Sequence, residues 1–438
     1  MRRLSLALFL TAAPSALAAA QSETTAFVGG RLLPVSGAPL DDGVLVVRDG
    51  KIVAVGARSD ISVPAGARVF DVSGKQLMPG LVDTHSHVGG GWGADGSAPI
   101  QPDVRMLDAI NCRDSGLQRA QAGGITTLNI MSGSGHLMSG QTLYVKNRDA
   151  NTVEALCYRF ADGEPMGGMK MANGTNSQRP PPFPETRGKS AALVREAFVA
   201  ALEYRRKVQA AGDDAAKLPP RDLGHEALLE LVDGKRIVHH HTHRHDDIAT
   251  VLRLSKEFGF RVVLHHVSEA YKVADLIVAA NAPCSLIVID TPGGKLEASE
   301  FDARSAAELE RLGAPQLVGF HTDDWITDSR VFLRSAALAV RAGVSRETAL
   351  AGLTINAARM LDLGERVGSL EVGKDADFIV LSGDPLSVYT RVEQTWVDGA
   401  KVFDLSDPKD RRWADGGWGA GMPRMLATCC LGDGEDPK

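Results

Sequence analysis

Two histidines separated by one residue follow an apolar segment near the start of the chain. The segment begins at Leu77, reads Leu-Met-Pro-Gly-Leu-Val-Asp-Thr, and is followed by His85-Ser-His87. Side chains two positions apart on a β-strand share a face, so both imidazoles would point into the same space. Neutral imidazole is the commonest protein ligand of transition metals. An isolated histidine would more often be structural, but this pair predicts a metal site at the end of a buried strand.

Most of the other histidines fall into three further groups. The chain has twelve histidines, and ten of them lie at the ends of four predicted strands. Besides the first pair, these are His239, His240, His241, His243, His245, His265, His266 and His321. One strand cannot direct five imidazoles at one ion, so several residues of the run from 239 to 245 would contact ligand side chains, substrate or solvent. We expect one histidine of that run to bind metal, and the pattern leaves open which one.

A carboxylate follows the last of these predicted strands. Asp323 comes directly after Val-Gly-Phe-His-Thr at 318–322. A carboxylate at the C-terminal end of a barrel strand stands where catalytic groups are found, and it can take a proton from water and return it to a leaving amine. Aspartate is also a favoured helix N-cap, and Asp324 competes for either role. We interpret Asp323 as the catalytic acid and base.

These groups need a scaffold that brings several strand ends together. Strands are predicted at 124–130, 261–264 and 317–320, and helices at 190–211 and 246–258. Strands that alternate with helices indicate a parallel sheet, and at this length the sheet closes on itself. The predicted architecture is a (β/α)8 TIM-like barrel over residues 80–365.

The segments on both sides of this region have a different sequence pattern, with short apolar runs separated by turns. Asp49-Gly50 and Asp398-Gly399 each separate two short apolar runs, which is the typical signal of a two-residue β-hairpin. Neither flank can bury a face alone, so we predict that residues 22–79 and 366–405 combine into one small β-sandwich domain. The tail, 406–438, is expected to be weakly structured.

Composition and charge limit the possible partners. The chain has 438 residues, a hydrophobic fraction of 44% and a formal net charge of -6 from 48 basic and 54 acidic side chains. These values are typical of a globular protein and give no basic surface for nucleic acid. We expect a small-molecule or short-peptide substrate and no nucleic-acid partner.

The first twenty residues have the form of a cleavable signal peptide. Arg2 and Arg3 precede an apolar run that ends near Ala12, and small residues follow around Ala18. The apolar run is shorter than the roughly 20 residues that span a bilayer. Residues 1–20 are therefore predicted to be a signal peptide, and the mature protein to be secreted or periplasmic without a membrane span.

The residues quoted above, together with two further motifs, resemble the amidohydrolase superfamily, in particular its imidazolonepropionase-like and prolidase-like branch. The specific matches are Pro79-Gly-Leu-Val-Asp-Thr-His-Ser-His87, Thr322-Asp323, and Leu353-Thr-Ile-Asn-Ala-Ala358 leading into the segment 367–380. The resemblance extends from about residue 27 to about residue 403. It implies a barrel enzyme whose final motif returns the chain to the β-sandwich.

The resemblance also implies a ligand set. His85, His87 and Asp323 would bind the more buried ion, and His241 and His266 would be the histidines of the fifth and sixth strands. His239, His243 and His265 lie near enough to replace them. Many members bridge two ions through a carbamylated lysine, for which Lys170 is the candidate and Lys146 the alternative. One or two divalent ions are expected, with zinc favoured by a histidine-rich site that includes a carboxylate.

The function that follows is metal-dependent hydrolysis of a carbon–nitrogen bond in a peptide-like or cyclic amide. A divalent ion lowers the pKa of water from about 15.7 toward 7. Asp323 would act as general acid and base, with His266 both ligand and catalytic residue. We assign His240, His243 and His321 to substrate. Deamination of a ring amidine and a catalytically inactive metal-binding homologue are the alternatives. Family members are often oligomers, and a homo-oligomer is compatible with the sequence.

Overall fold

The computed structural model describes residues 23–90, 94–288, 295–324 and 326–416. The predicted signal peptide and residues 417–438 of the predicted tail lie outside this range. In the part of the chain that the model describes, no helix combines the length and the apolar character needed to cross a bilayer.

The strands and helices of the described residues are numbered here in chain order. The strands are β1 Thr25–Leu32, β2 Leu40–Arg48, β3 Lys51–Ala57, β4 Arg68–Asp71, β5 Gln76–Pro79, β6 Leu81–Ser86, β7 Ile125–Ile130, β8 Met138–Gln141, β9 Leu143–Lys146, β10 Met169–Ala172, β11 Val238–Thr242, β12 Val262–His266, β13 Cys284–Leu286, β14 Val318–Phe320, β15 Phe378–Leu381, β16 Val392–Val397 and β17 Ala400–Asp404. The helices are α1 Ser115–Ala122, α2 Arg187–Ala211, α3 Leu223–Val232, α4 His245–Phe258, α5 Ala274–Ala279, α6 Ser305–Arg311, α7 Leu333–Arg341, α8 Arg346–Gly352, α9 Ile355–Arg359 and α10 Pro408–Asp415.

The two ends of the described chain form one eight-stranded mixed sheet. Its order is β17-β16-β15-β5-β1-β2-β3, and β4 pairs with β1. Both predicted Asp-Gly turns connect antiparallel strands of this sheet, β2 to β3 and β16 to β17. All four turn residues, Asp49, Gly50, Asp398 and Gly399, have positive φ, as a type I′ hairpin requires. The packing of this sheet into a two-layer sandwich stays a prediction.

The central strands form two further sheets. In one, β10 to β14 are parallel neighbours and β8 lies antiparallel to β10; in the other, β6 and β7 are parallel and β9 lies antiparallel to β7. The antiparallel strands depart from the expected uniform alternation because the chain between Ile130 and Leu143 contains no helix to carry a parallel crossover. The fold is mixed α/β, and the closed eight-stranded barrel remains a prediction.

The two predicted long helices are confirmed with small shifts at their starts. Helix α2 begins at Arg187 because the Thr186 hydroxyl accepts from the Lys189 N–H and caps it. Helix α4 begins at His245 and stops at Gly259, whose φ of 79° gives a left-handed cap. Phe198 on α2 stacks on Phe258 and Phe260, with centroids 4.8 and 5.3 Å away.

The tail prediction is wrong for its first part. Residues 408–415 form helix α10, in which Asp407 accepts from the Lys409 N–H and Pro408 occupies the first turn. An aspartate followed by proline is a recognised helix start. The sequence gives little indication of this helix because α10 is strongly polar and shows little apolar periodicity, although Trp413 packs against the hydrophobic core.

Candidate metal centre

The first histidine pair meets the predicted catalytic aspartate at the end of β6. Atom Oδ1 of Asp323 lies 3.0 Å from Nε2 of His87 and 3.3 Å from Nε2 of His85. All three side chains are at most 1% exposed. His87 is oriented by a 2.7 Å contact between its Nδ1 and the carbonyl oxygen of Met131. The structure thus brings together the two imidazoles and the carboxylate that were predicted to bind the more buried ion.

The backbone at Asp323 is held in an uncommon conformation. Its φ is 47°, and its N–H donates to the His85 carbonyl at 2.9 Å, which connects the segment after β14 to β6. Positive φ is uncommon outside glycine and concentrates at functional sites. Burial alone would raise the pKa of Asp323, but the hydrogen bond and electrostatic attraction of His87 hold it below its ordinary value. The carboxylate is therefore ionised at neutral pH.

Lys170 reaches the same place from β10. Its Nζ lies 3.1 Å from Nε2 of His85 and 3.2 Å from the sulfur of Met131, and the residue has no exposed surface. A lysine rarely lies this deep without a compensating partner or a chemical role. The position agrees with the prediction that Lys170 belongs to the metal centre.

A second group of imidazoles lies at the ends of β11 and β12. The ring centroid of His241 lies 4.7 Å from that of His243 and 4.3 Å from that of His266. Within the described residues, Nδ1 of His241 and Nε2 of both His243 and His266 are buried without a hydrogen-bond partner. His266 and Val267 have φ values of 69° and 42°. Burying unpaired nitrogens costs about 1–3 kcal/mol each, so an ion or another partner bound between them would offset that cost.

His321 and His240 have different surroundings. His321 stacks on His85 with centroids 4.9 Å apart, and its two nitrogens contact Ser285 Oγ at 2.8 Å and His266 Nδ1 at 3.4 Å. His240 points its Nδ1 to the carbonyl of His241 at 2.9 Å. Their predicted contact with substrate stays a prediction.

His239 and His265, the alternative ligands, contact each other instead. Nδ1 of His239 lies 3.0 Å from Nε2 of His265, and Nε2 of His239 lies 2.7 Å from the Tyr144 hydroxyl.

Burial keeps these imidazoles neutral. It is the largest cause that lowers the pKa of His239, His240 and His321, each to about 3. It also lowers the pKa of several others well below the ordinary value, namely His85, His241, His243, His265 and His266. A neutral imidazole has the lone pair that a metal needs.

Three sets of side chains bring their potential ligand atoms close enough together to share an ion. They are His85 with His87 and Asp323, His241 with His243 and His266, and His85 with His266 and His321, each with ligand atoms within 4.8 Å of one another. Buried nitrogens without partners and an ionised carboxylate are the donor set of a divalent transition metal. The residues present fit such an ion.

Comparison with known proteins decides the family. The family model described as "Amidohydrolase family" matches residues 76–403. The chain belongs to the amidohydrolase family. Membership confirms the predicted class, a hydrolase that acts on carbon–nitrogen bonds.

This amidohydrolase is similar in sequence to proteins that are named for several different activities. It is 28% identical to the amidohydrolase tasK of Hapsidospora irregularis over 85% of this chain but 41% of that protein. It is 24% identical to an imidazolonepropionase of Sphingopyxis alaskensis, covering 81% and 90% of the two chains. It is 26% identical to a 5-methylthioadenosine/S-adenosylhomocysteine deaminase of Symbiobacterium thermophilum, covering 81% and 84%.

A solved structure agrees with this assignment. The crystal structure of an amidohydrolase from Thermotoga maritima MSB8 aligns with a TM-score of 0.79 and 32% identity over 87% of this chain and all of that one. The resemblance inferred from the sequence motifs is confirmed.

Two alternatives left open by the sequence lie away from the histidines of this amidohydrolase. Lys146, the second candidate for the bridging lysine, forms ion pairs with Asp375, Asp377 and Asp398 beside the eight-stranded sheet. Asp324 accepts hydrogen bonds from the backbone N–H and the hydroxyl of Ser329. Each is occupied by a structural contact, which leaves Lys170 and Asp323 at the centre.

Sequence reasoning did not predict the contacts that several polar residues make with the clustered histidines or with the segment that carries Asp323. Asp83, Ser285 and Tyr144 contact the centre's side chains or the segment that carries Asp323, and Asn176 Nδ2 lies 3.2 Å from Nε2 of His241. The available signal was a polar residue inside an otherwise buried strand, which Asp83 and Ser285 provide.

Proposed function

We propose that this amidohydrolase binds divalent zinc through His85, His87 and Asp323, and a second ion through His241 and His266, to hydrolyse a peptide-like or cyclic amide. The single observation that carries the proposal is the contact of Asp323 Oδ1 with Nε2 of both His85 and His87 at 3.3 and 3.0 Å, fully buried. A divalent ion bound there would acidify water and polarise the amide carbonyl.

Asp323 would carry the proton through the reaction. The carboxylate is ionised at neutral pH, so its oxygens have lone pairs that can accept a proton from the attacking water. The same oxygen would return that proton to the leaving nitrogen, so that an amine departs rather than an amide anion. His266, held beside Asp323 with Nδ1 3.9 Å from Oδ2, would help to orient the carboxylate.

Lys170 would hold two ions together as a carbamate. The protonated Nζ would release two protons in total as it forms a bond to the carbon of CO2, which turns a buried cation into an anion with two oxygen donors. Burial of a positive charge among neutral imidazoles is unfavourable, whereas an anion between two cations is stabilised. The 3.1 Å contact with His85 supports this assignment.

Lys295 would select substrates that carry a carboxylate. Its Nζ is buried without a hydrogen-bond partner among the described residues, and its charge contributes to the depressed pKa of His241 and His243. An ammonium in this position favours an anionic group of a short peptide or N-acyl amino acid. We assign His240, His243 and His321 to the substrate side of the same space.

The test combines metal content with turnover. Zinc per chain would be measured by plasma mass spectrometry for wild type, Lys170→Ala and the exposed control Lys189→Ala, with a panel of dipeptides, N-acyl amino acids and their C-terminal amides. We expect two ions in wild type and the control, at most one in Lys170→Ala, and faster hydrolysis of the free acids. A tightly bound ion with no turnover on any substrate would indicate the inactive metal-binding homologue instead.

Deamination of a ring amidine is the second candidate, favoured by the similarity to a deaminase over 81% of this chain. The same carboxylate would return its proton to departing ammonia. Enzyme-coupled detection of ammonia from aminopurine nucleosides separates the two reactions, because amide hydrolysis of an N-acyl amino acid releases none.

The remaining architecture and location are part of the proposal. Residues 80–365 would close into a (β/α)8 barrel, supported by the hydrogen bond from the Asp323 N–H to the His85 carbonyl, which connects the segment after β14 to β6. Residues 22–79 and 366–405 would form the β-sandwich. Residues 1–20 would be removed on export to the periplasm or medium, which N-terminal sequencing of the mature protein tests. Gel filtration with light scattering tests whether the enzyme is a homo-oligomer.

A further inference from the structure

Three buried side chains form a hydrogen-bonded chain that ends at the metal centre. The Tyr144 hydroxyl lies 2.7 Å from Nε2 of His239, and Nδ1 of His239 lies 3.0 Å from Nε2 of His265. Tyr144 is 2% exposed, and both histidines have no exposed surface. None of the three was needed to build the proposed ligand set.

The two ends of this chain lie in contrasting surroundings. Tyr144 belongs to an apolar cluster with Val82, Met166 and Leu361. At the other end, the His265 ring lies 5.1 Å from the ring of His85. Within the described residues, Nδ1 of His265 is buried and has no hydrogen-bond partner. The chain therefore runs from an apolar pocket to a cluster of potential ligands.

Two arrangements of the protons are possible. In the first, the tyrosine hydroxyl donates to His239, His239 donates from Nδ1 to His265, and His265 keeps its proton on Nδ1. In the second, every donor is reversed: His265 presents a bare Nδ1 to the metal centre, and the tyrosine O–H is left without an acceptor. A stranded buried donor costs about 1–3 kcal/mol. Among the described residues the Tyr144 hydroxyl contacts His239 and no second acceptor, so that cost is not offset there, whereas an N–H at the metal centre can donate to an oxygen of water or substrate.

We infer that Tyr144 and His239 are positioning residues that fix the proton of His265 on Nδ1. This inference rests on the proposed metal site. His265 is then a hydrogen-bond donor that faces the centre and is excluded from the ligand set, although it directly precedes the ligand His266. The chain decides which of the clustered imidazoles bind the ion, because an imidazole cannot coordinate through a nitrogen that keeps its proton.

The first measurement reads the tautomer directly in metal-free protein. Histidines would be labelled with nitrogen-15, and two-bond correlation spectra would distinguish Nδ1–H from Nε2–H, with His265 assigned by its loss in His265→Gln. We expect Nδ1–H at His265 in wild type and a mixture of tautomers in Tyr144→Phe. The control Tyr158→Phe removes another buried hydroxyl, bonded at 2.8 Å to Thr127, and should leave His265 unchanged.

The second measurement reads the consequence for the metal. Cobalt would replace zinc, and the visible absorption would report the coordination of the ion. In Tyr144→Phe we expect an altered spectrum and a change in metal Kd of about tenfold or more, the usual size for a lost orienting partner. Tyr158→Phe should keep the wild-type spectrum and Kd.

The outcomes separate this inference from the proposed function. An Nε2–H signal at His265 in wild type would overturn the inference, even if Tyr144→Phe did not fold. Identical tautomers and cobalt spectra in Tyr144→Phe and wild type would also overturn it. Absence of any bound metal would instead contradict the proposed function, while the tautomer of the metal-free protein would still be decided.

Discussion

Asp83 accepts two hydrogen bonds from Thr322, one from the backbone N–H at 3.0 Å and one from the hydroxyl at 2.5 Å. Thr322 directly precedes Asp323, and Asp83 lies two residues before His85 and accepts from its N–H at 3.2 Å. A single buried carboxyl group therefore fixes the relative position of the two segments that carry a proposed metal ligand, His85, and the proposed catalytic aspartate. The motif Asp-Thr-His-Ser-His has a structural function besides supplying histidines.

Replacing Thr322 with valine should loosen this connection while keeping the side-chain shape. One of the two hydrogen bonds to Asp83 is lost, so Asp323 is held less firmly and we expect metal affinity to fall about 10–100-fold. The zinc Kd is measured by competition with a chromophoric chelator. Thr327→Val is the control, because Thr327 is equally buried but its hydroxyl has no hydrogen-bond partner among the described residues. Equal zinc affinities for the two variants would contradict the prediction.

Asp323→Asn should abolish most turnover without unfolding the enzyme. The amide keeps the shape but cannot carry the proton, and general acid–base catalysis contributes about 10²–10⁴-fold. The value of kcat is measured on the best substrate of the panel. Asp324→Asn serves as the control, because Asp324 contacts Ser329 rather than the histidines, and its kcat should stay within about tenfold of wild type. A larger loss in Asp324→Asn than in Asp323→Asn would exchange the roles of the two aspartates.

The amino-acid pattern predicted the convergence of those side chains whose positions follow from strand geometry. His85 and His87 share a strand face and Asp323 follows a short buried strand, so period and position alone indicate convergence. The run from 239 to 245 was different, because it alternates faces and supplies imidazoles to several partners. Which of its histidines binds metal stays a prediction, and the position of each imidazole depends on the register of β11 with β12, where His241 lies opposite His265. Pairing between distant strands is not encoded in the local pattern of either one.

Other features were beyond local reasoning for the same reason. The contact of Tyr144 with His239 joins residues far apart in the chain, and nothing in the apolar run around Tyr144 indicates a polar partner. The antiparallel placement of β8 and β9 depends on a short connection whose direction the apolar pattern does not specify. The sequence pattern indicated a histidine-rich site, whereas the contacts between its individual side chains depend on tertiary packing.

Removal of the metal should destabilise the folded enzyme. The buried nitrogens of His241, His243 and His266 lack partners within the described residues, so a bound ion would stabilise the native state alone. At a metal concentration of 100 Kd this linkage is worth about 2.7 kcal/mol. Calorimetry with a chelator should give a lower Tm that zinc restores. In His87→Asn, zinc should no longer raise the Tm. In the control His225→Asn, on helix α3, zinc should still raise it.

Removal of the Lys146 ion pairs should cause a large loss in the free energy of unfolding. Its Nζ lies 2.8 Å from Asp375 and 3.1 Å from Asp377, and it also pairs with Asp398. The side chain of Lys146 is 4% exposed. Lys146→Met leaves these carboxylates without their central cation, and loss of one partner of a buried ion pair costs about 3–5 kcal/mol. Lys51→Met is the control, because Lys51 pairs with Asp375 from a side chain that is 49% exposed, where a pair contributes about 0–1 kcal/mol.

The cost of Lys146→Met should depend on pH in a definite direction. Burial raises the pKa of Asp377 to about 6 even with Lys146 present, and removal of that cation can only raise it further. Because this folded value exceeds the unfolded value near 3.8, the contribution of Asp377 to stability is fully present below pH 3.8 and is lost as the pH rises through 6. Urea unfolding should therefore show a larger deficit relative to wild type at pH 8 than at pH 5. A deficit that grows on acidification would mean that the carboxylates do not depend on Lys146.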